Sequence, residues 1–435
     1  MPHLRRVVGA LATLGLAITL AGVARGQASD AARFLREVPW SGDGVWLKID
    51  THTHTTFSDG SRTVDNILNR ASVYGCDAVA ITDHTDLTLT AATPEYFDAI
   101  EKARAARPKL IVFAGVEWNI PPQNGNEHVT VLVAPELEKQ LTTFKRLFDD
   151  QNRSTRDRKT AADGLRWLAA NATSADGIEP VAMFEHPSRN VERSIDGVAD
   201  IKAWRAVNDV IIGFAGAPGH QGNRPLGSYD GKEKPIDRWD PVVARIGDAW
   251  DTLLRDGLDI WAAYAPSDFH TESVESLGDY WPGQLSETWV YAPERSSAGI
   301  LRALRAGSFF ADHGRIVREV ELRVNATGLA RPAGAGEVIA VRKNAEVTVD
   351  LSLKVPPEAW RPGPNHVDHV EIIAIDRDGA RIIAQGRPAE AGPAITKTVQ
   401  VPDGGIVFRA RGFSLLETGT RLAFYTNPVR VVANE

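Results

Sequence analysis

His52 and His54 close the apolar run of WLKIDTHTHTTFSDG (46–60). In an extended segment, residues two apart project to the same side, so both imidazoles can reach one metal ion. Asp59 follows in the same stretch. Further along, an apolar run ending in His, Asp or Glu recurs: CDAVAITDHTD ends in Asp83 and His84, KLIVFAGVEW in Glu117, and EPVAMFEHPSRN in His186. DVIIGFAGAPGHQGN leads to His220, LDIWAAYAPSDFH ends in Asp268 and His270, and HVTVLVA opens with His128. A single HxH is common on exposed strands. Its repetition at one strand end after another points to a shared site.

Mixed imidazole and carboxylate donors suit Zn, Mn or Fe, whereas Mg and Ca prefer oxygen alone. Two such ions a few ångströms apart lower the pKa of a bridging water toward about 7 and polarise a phosphoryl oxygen. The resulting hydroxide would be the nucleophile. No serine or cysteine nucleophile is then needed, and the chain has neither a GxSxG elbow nor a phosphate-binding P-loop.

The elements that must position these side chains alternate between strand and helix. SRTVDNILNRASVYG (61–75) places Val64, Ile67, Leu68 and Ala71 on one helical face and stops at Gly75. Thr93 caps a helix that carries Pro94 in its first turn and runs to about Ala106. A long helical region is expected over 141–172, another helix over 241–256, and a short one at SSAGILRALRAG. Continuous apolar strands between amphipathic helices indicate a parallel sheet covered on both faces or closed into a barrel. Functional residues of such folds collect at the carboxyl ends of the strands.

Past Arg315 the helical period gives way to a period of two, as in EVTVDLSLKV and VREVELRV. Arg377, Asp378 and Gly379 make a hairpin between VEIIAID and ARIIAQG. A small β-sandwich over 316–435 follows. A length of 435 residues accommodates both it and a larger catalytic domain.

The net charge of −7 disfavours a nucleic-acid partner, which calls for a basic face. Residues 1–26 have the form of a secretory signal: Arg5 and Arg6, an apolar run, then Ala24 and Gly26 before Gln27. Cleavage there would leave an exported chain with no membrane span. Cys76, the single cysteine, reads as a small buried residue.

With these motifs in view, the chain resembles the PHP (polymerase and histidinol phosphatase) superfamily of metal-dependent phosphoesterases. DTHTHTTFSDG, ITDHTD, GVEW, EHPSR and SDFH carry the resemblance, which covers 47–315. It implies an α/β fold with a distorted (β/α)7 PHP-type barrel over 27–315, followed by the all-β sandwich. It also implies a centre of two or three divalent ions (Zn, Mn or Fe). His52 and His54 would hold one ion with Glu117 and Asp268, and Glu117 would bridge to a second completed by His128 and His186. Asp59, His84 and His270 would hold a third; the Asp59 position is histidine in some members.

The expected activity is hydrolysis of a small-molecule phosphoester, with Asp268 and His270 at the reacting centre. The same centre would also serve hydrolysis of a carboxylic or carbamic ester, as in the exported carbaryl hydrolase (CehA/McbA-like) branch that the chain also resembles. Metal-bound binding without turnover is the reading from another class. Arg189 would grip a substrate oxyanion or form a surface ion pair. His220 would donate to the leaving group, orient substrate, or be structural. Asp83 would orient an imidazole or cap a loop. Trp118, Trp281 and Trp289 would wall a pocket or simply pack. His313 reads as a core or surface residue, and His366 and His369 as surface residues.

Overall fold

The computed structural model describes residues 31–122, 127–149, 157–219, 229, 231–272, 278–357, 364–417 and 419–434. The signal-like segment 1–26 and His220 lie outside the described residues. Among the described residues no helix is long and apolar enough to cross a membrane.

After a short strand β1 (Arg33–Arg36), the chain builds β2 (Val45–Asp50), α1 (Val64–Val73), β3 (Ala78–Ile81), α2 (Pro94–Ala105) and β4 (Ile111–Ala114). These strands pair in parallel, Ile49 opposite Ala78 and Ala78 opposite Ile111. The helices start where local chemistry directs. Thr63 and Thr93 accept the Asn66 and Tyr96 amides, and Pro94 occupies the first turn of α2. Val64, Ile67, Leu68 and Ala71 are buried on one face of α1, as their spacing requires.

Gly115 alone separates β4 from β5 (Val116–Asn119), which continues with β6 (His128–Leu132), the helices α3 (Leu141–Phe148) and α4 (Arg158–Asn171), and β7 (Val181–Phe184). Two short helices, α5 (Ser194–Gly197) and α6 (Ile201–Arg205), precede β8 (Ile211–Phe214). β5 and β7 both pair antiparallel with β6, so the expected all-parallel order fails here. The connection from β5 to β6 is shorter than the dozen or so residues that a parallel crossover needs.

The backbone links continue past β8. Gly213 bridges Trp261, and further along that irregular strand Phe269 bridges Thr53, just beyond β2. His84 bridges Glu117 in the same way.

Two expected helices are interrupted. The region over 141–172 divides into α3 and α4. α3 ends at Asp149, whose buried side chain leaves the helix to accept from Asn119 Nδ2 at 2.9 Å and from the Thr85 hydroxyl. The region over 241–256 divides into α7 (Pro241–Ala244) and α8 (Ala249–Arg255) at Gly247, with Asp248 capping the second piece.

The chain then returns through β9 (Ser286–Ala292), α9 (Ser297–Ala306) and β10 (Phe309–His313). The remaining strands are β11 (Glu319–Ala326), β12 (Val338–Arg342), β13 (Glu346–Lys354), β14 (His369–Asp376), β15 (Gly379–Gly386), β16 (Ile395–Gln400), β17 (Ile406–Leu415), β18 (Arg421–Thr426) and β19 (Val429–Asn434). β14 and β15 form the expected hairpin around Arg377 and Asp378. β11, β13 and β16 make a three-stranded sheet. Their alternating Val320, Leu322, Val324, Val347, Val349 and Leu351 pack against Val370, Ile372, Ile406 and Phe408 from the facing strands.

This all-β region does not stand apart at Arg315. β18 pairs with β10, β10 with β9 and β9 with β2, and β1 joins β12, so one sheet runs from the sandwich into the strands that carry His52. Residues 31–435 form one compact unit.

Candidate metal centre

Glu117 is the centre of the site. Its side chain is buried, and five imidazoles surround it. Oε1 lies 3.0 Å from His128 Nδ1, 3.4 Å from His52 Nε2 and 3.6 Å from His186 Nε2. Oε2 lies 3.1 Å from both His54 Nε2 and His84 Nδ1. Asp268 Oδ1 approaches from another side, 3.0 Å from His52 Nε2, 3.3 Å from His54 Nε2 and 3.6 Å from His270 Nδ1. Asp59, half exposed, reaches His54 Nδ1 and His270 Nε2 at 3.4 Å and His84 Nε2 at 3.7 Å.

Each residue arrives from a strand end. β2 delivers His52 and His54, β3 His84, β5 Glu117, β6 His128 and β7 His186; the irregular strand after Trp261 delivers Asp268 and His270. The loop holding Asp59 is shaped by Asp83, which accepts from Thr55 N and Thr55 Oγ1 at 2.7 Å and from Ser58 Oγ at 2.5 Å. Asp83 is thus a loop cap. Gly60 is required because a Cβ there would lie 2.4 Å from the His54 carbonyl oxygen. Gly219 is required likewise, since its Cβ would meet the Asp268 carboxylate. His186 and Asp268 themselves adopt positive φ, +32° and +49°, the kind of backbone strain that persists where surrounding structure imposes it.

The donor set fits divalent ions. Ligand atoms about 2.1 Å from a single tetrahedral ion are about 3.4 Å from one another. The N···O separations around Glu117 and Asp268 fall in that range, and His52 Nε2 faces His54 Nε2 at 3.3 Å. Among the described residues, three groups have ligand atoms within 4.8 Å of one another: His52, His54 and Glu117; His84, Glu117 and His128; and His54, Asp59, His84 and His270. Glu117 belongs to two groups, and each of its oxygens contacts both: Oε1 faces His52 and His128, and Oε2 faces His54 and His84. The grouping differs from the expected one: Asp268 is not in the His52 group, His84 stands with Glu117 and His128 while His186 is farther out, and His54 joins Asp59, His84 and His270.

Burial alone would raise the carboxyl of Glu117, but the imidazoles of His128, His84 and His52 outweigh it and hold it well below the usual range. Asp268 is likewise held down against burial by His52 and His270. Burial would lower His52, yet Glu117, Glu185 and Asp268 pull it up to about 9. Burial dominates at His84, pushed down to about 3, and at His186, where the Arg189 charge adds to it. Both are bare-nitrogen donors.

The cavity over the centre, about 380 Å³, is lined by Asp59, His84, His128, His186 and His270 together with Arg189, Thr271 and Asp279. Arg189 Nη2 lies 3.4 Å from His128 Nδ1, so the guanidinium overlooks the metal-ligand cluster. Its loop is anchored by buried Asp240, which accepts from Ser188 Oγ at 2.7 Å, Ser188 N at 3.1 Å and Tyr229 Oη at 2.5 Å. Asp240, Tyr229 and Asp279 went unnoticed in the sequence. Asp279 accepts from the His270 and Thr271 amides at 2.7 and 3.1 Å.

The other singled-out residues lie elsewhere. Trp118 is core, its Nε1 donating to Phe148 O, and Trp281 stacks on Phe269. Trp289 lines a separate pocket with Lys48 and Arg315. His313 is buried against Trp239, His366 is exposed, and His369 stacks on Phe413. Cys76 is buried, and burial pushes its thiol far up, out of reactive range.

The model of the PHP domain matches residues 50–185, which include the candidate ligands from His52 to His128. An uncharacterized protein of Methanocaldococcus jannaschii is 38% identical over 86 residues, 18% of this chain and 37% of that protein. A two-domain protein of Bacteroides vulgatus, described as containing a predicted PHP-like metal-dependent phosphoesterase, is similar over 89% of this chain and 95% of its own, at 15% identity and a TM-score of 0.40. A putative metal-dependent phosphoesterase of Bifidobacterium adolescentis is similar over 39% of this chain and 77% of its own, at 18% identity and a TM-score of 0.25.

Proposed function

We propose that this chain is an exported metal-dependent phosphoesterase acting on a small-molecule ester. The observation that carries the reading is buried Glu117, which is shared by two groups of imidazoles, His52 with His54 and His84 with His128. We also take the circuit of β2, β3, β4 with β5, β6, β7, β8 and the strand after Trp261 to be the seven-stranded barrel that the motifs lead one to expect.

His52, His54, Glu117 and Asp268 would hold one divalent ion, and Glu117 with His84, His128 and His186 a second. Asp59, His84 and His270 would add a third, with His84 drawn toward whichever of the two is filled. Zn, Mn or Fe suits these donors. When bound, such ions lower the pKa of coordinated water and polarise the ester oxygen.

The chain's own groups supply position and charge. Arg189 presents a planar fork of donors over the cavity, matched to two oxygens of a phosphoryl group. Ser188, pinned by Asp240, keeps that fork aimed at the same point as His186. Asp279 holds the backbone of His270 and Thr271 at the cavity rim.

The test is hydrolysis of aryl phosphate mono- and diesters beside aryl carboxylic and carbamic esters by the metal-loaded protein. Turnover of the phosphate esters supports the reading. Turnover of the carboxylic or carbamic esters alone overturns it in favour of carbonyl chemistry, and metal binding with no turnover makes the chain a binding protein.

A further inference from the structure

We infer that the cavity between α1 and Trp281 is a second subsite, which takes an acidic group, carboxylate or phosphate, at the far end of an ester held over the metal centre. The inference rests on the phosphoesterase reading above and names the class of substrate for it: an ester with a distal acid.

This cavity, about 390 Å³, is lined by Arg62, Asn66, Asn69, Arg70, Glu272 and Trp281. α1 buries Val64, Ile67, Leu68 and Ala71, so Asn66, Asn69 and Arg70 share its outward face. On a helix surface an arginine pairs with an acid three or four residues away. Around Arg70 those places hold Asn66, Ile67, Val73 and Tyr74. Its guanidinium lies instead over the Trp281 ring, 5.3 Å from the centroid, and makes no ion pair or side-chain hydrogen bond among the described residues. Phe269 stacks on the same ring at 4.4 Å, which fixes the platform.

The other lining groups leave donors for the cavity. Asn69 Oδ1 accepts from Arg107 Nη2 at 2.8 Å and Nε at 3.2 Å, and Asn66 Oδ1 accepts from the Thr63 hydroxyl at 3.0 Å. Both amide nitrogens remain to donate elsewhere. Asp65 pairs with Arg107, and Glu272 is taken up by Arg62 through both carboxylate oxygens. No acid of the lining is left to oppose Arg70, in a chain whose net charge is −7. A planar guanidinium held by stacking, with carboxamide donors beside it, matches the oxygens of a carboxylate or phosphate.

The cavity shares a wall with the metal centre. Thr271 lines the metal cavity, and Glu272, the next residue, lines this one. Ser61, beside Arg62, donates its amide to the His270 carbonyl at 2.7 Å, so the wall is fixed to the start of α1 on both sides of Thr271. An ester with its phosphoryl group at the metals and its acid at Arg70 would cross Thr271.

The test is calorimetry on the zinc-loaded full chain with phenylphosphonates, which lack a scissile ester bond. Each carries a carboxylate, a phosphate or a neutral carboxamide on a side chain of one to four carbons. At one chain length an acid is expected to bind about tenfold tighter than the amide. The acid that shows the larger preference is the one the subsite takes. In Arg70→Gln the acid-to-amide ratio should fall to about one; Arg70 is exposed, so the variant should melt with the wild type. A ratio near one at every length in the wild type overturns the inference and leaves the metal centre standing, as does an equal preference in Arg70→Gln. If unsubstituted phenylphosphonate does not bind the wild-type chain, the phosphoesterase reading itself fails and the inference with it.

Discussion

Deleting the His54 ring removes contacts to Glu117, Asp268 and Asp59 together. His54→Ala is therefore expected to lose both bound metal and hydrolysis, measured by elemental analysis and turnover, whereas His369→Ala, stacked on Phe413, should change neither. The protonation of this cluster also has a readable sign. With Glu117 and Asp268 held ionised, His52 binds a proton up to about pH 9 in the metal-free chain, and an incoming ion must displace it. Apparent metal affinity should accordingly rise by about tenfold per pH unit for each proton displaced between pH 7 and 9. A chelator titration at several pH values that gave a flat profile would contradict this. At this scale the candidate ligands were legible because most of them sit at the end of an apolar run, with His128 at the start of one. Asp240 was not, since a lone carboxylate has no distinctive spacing and acquires its role only from what folds against it.

The elements that matter most are the loops directly after the strands. The 186–189 loop is pinned to the segment before α7 by Asp240, which accepts four bonds, two from Ser188, one from Tyr229 and one from Val242 N. Asp240→Ala would strand these buried donors, and a cost of about 2–3 kcal/mol is expected from melts. A fall in kcat/KM should accompany it, as His186 and Arg189 lose their common anchor. An unchanged melting temperature and kcat/KM would contradict the assignment. Capped helices such as α1 and α2 were readable to within a residue or two, because Thr63, Thr93 and Pro94 act locally. The breaks in 141–172 and 241–256 were less so. Asp149 leaves its helix to meet Thr85 and Asn119, partners distant in sequence, while the stop at Gly247 carries only a weak local signal.

Across the whole molecule, the strands before and after Arg315 depend on each other. Buried Arg409 on β17 forms a two-pronged ion pair with buried Asp251 on α8, at 2.6 and 2.9 Å, and β10 lies between β9 and β18. Arg409→Leu leaves a buried carboxylate uncompensated and is expected to cost about 3–5 kcal/mol in chemical denaturation. A chain ending at Arg315 should fail to fold alone; a soluble, cooperatively melting 31–315 fragment would show that the sandwich is dispensable. The two-residue period past Arg315 revealed an all-β region, but which strand edges meet is decided by long-range pairing and was not readable. The central claim is that Glu117 joins two metal sites. Its most direct test is the number of ions per chain in wild type and in Glu117→Gln after loading with zinc or manganese. The account predicts two or three ions in wild type and at most one in the variant, whereas equal metal content in the two proteins would contradict it.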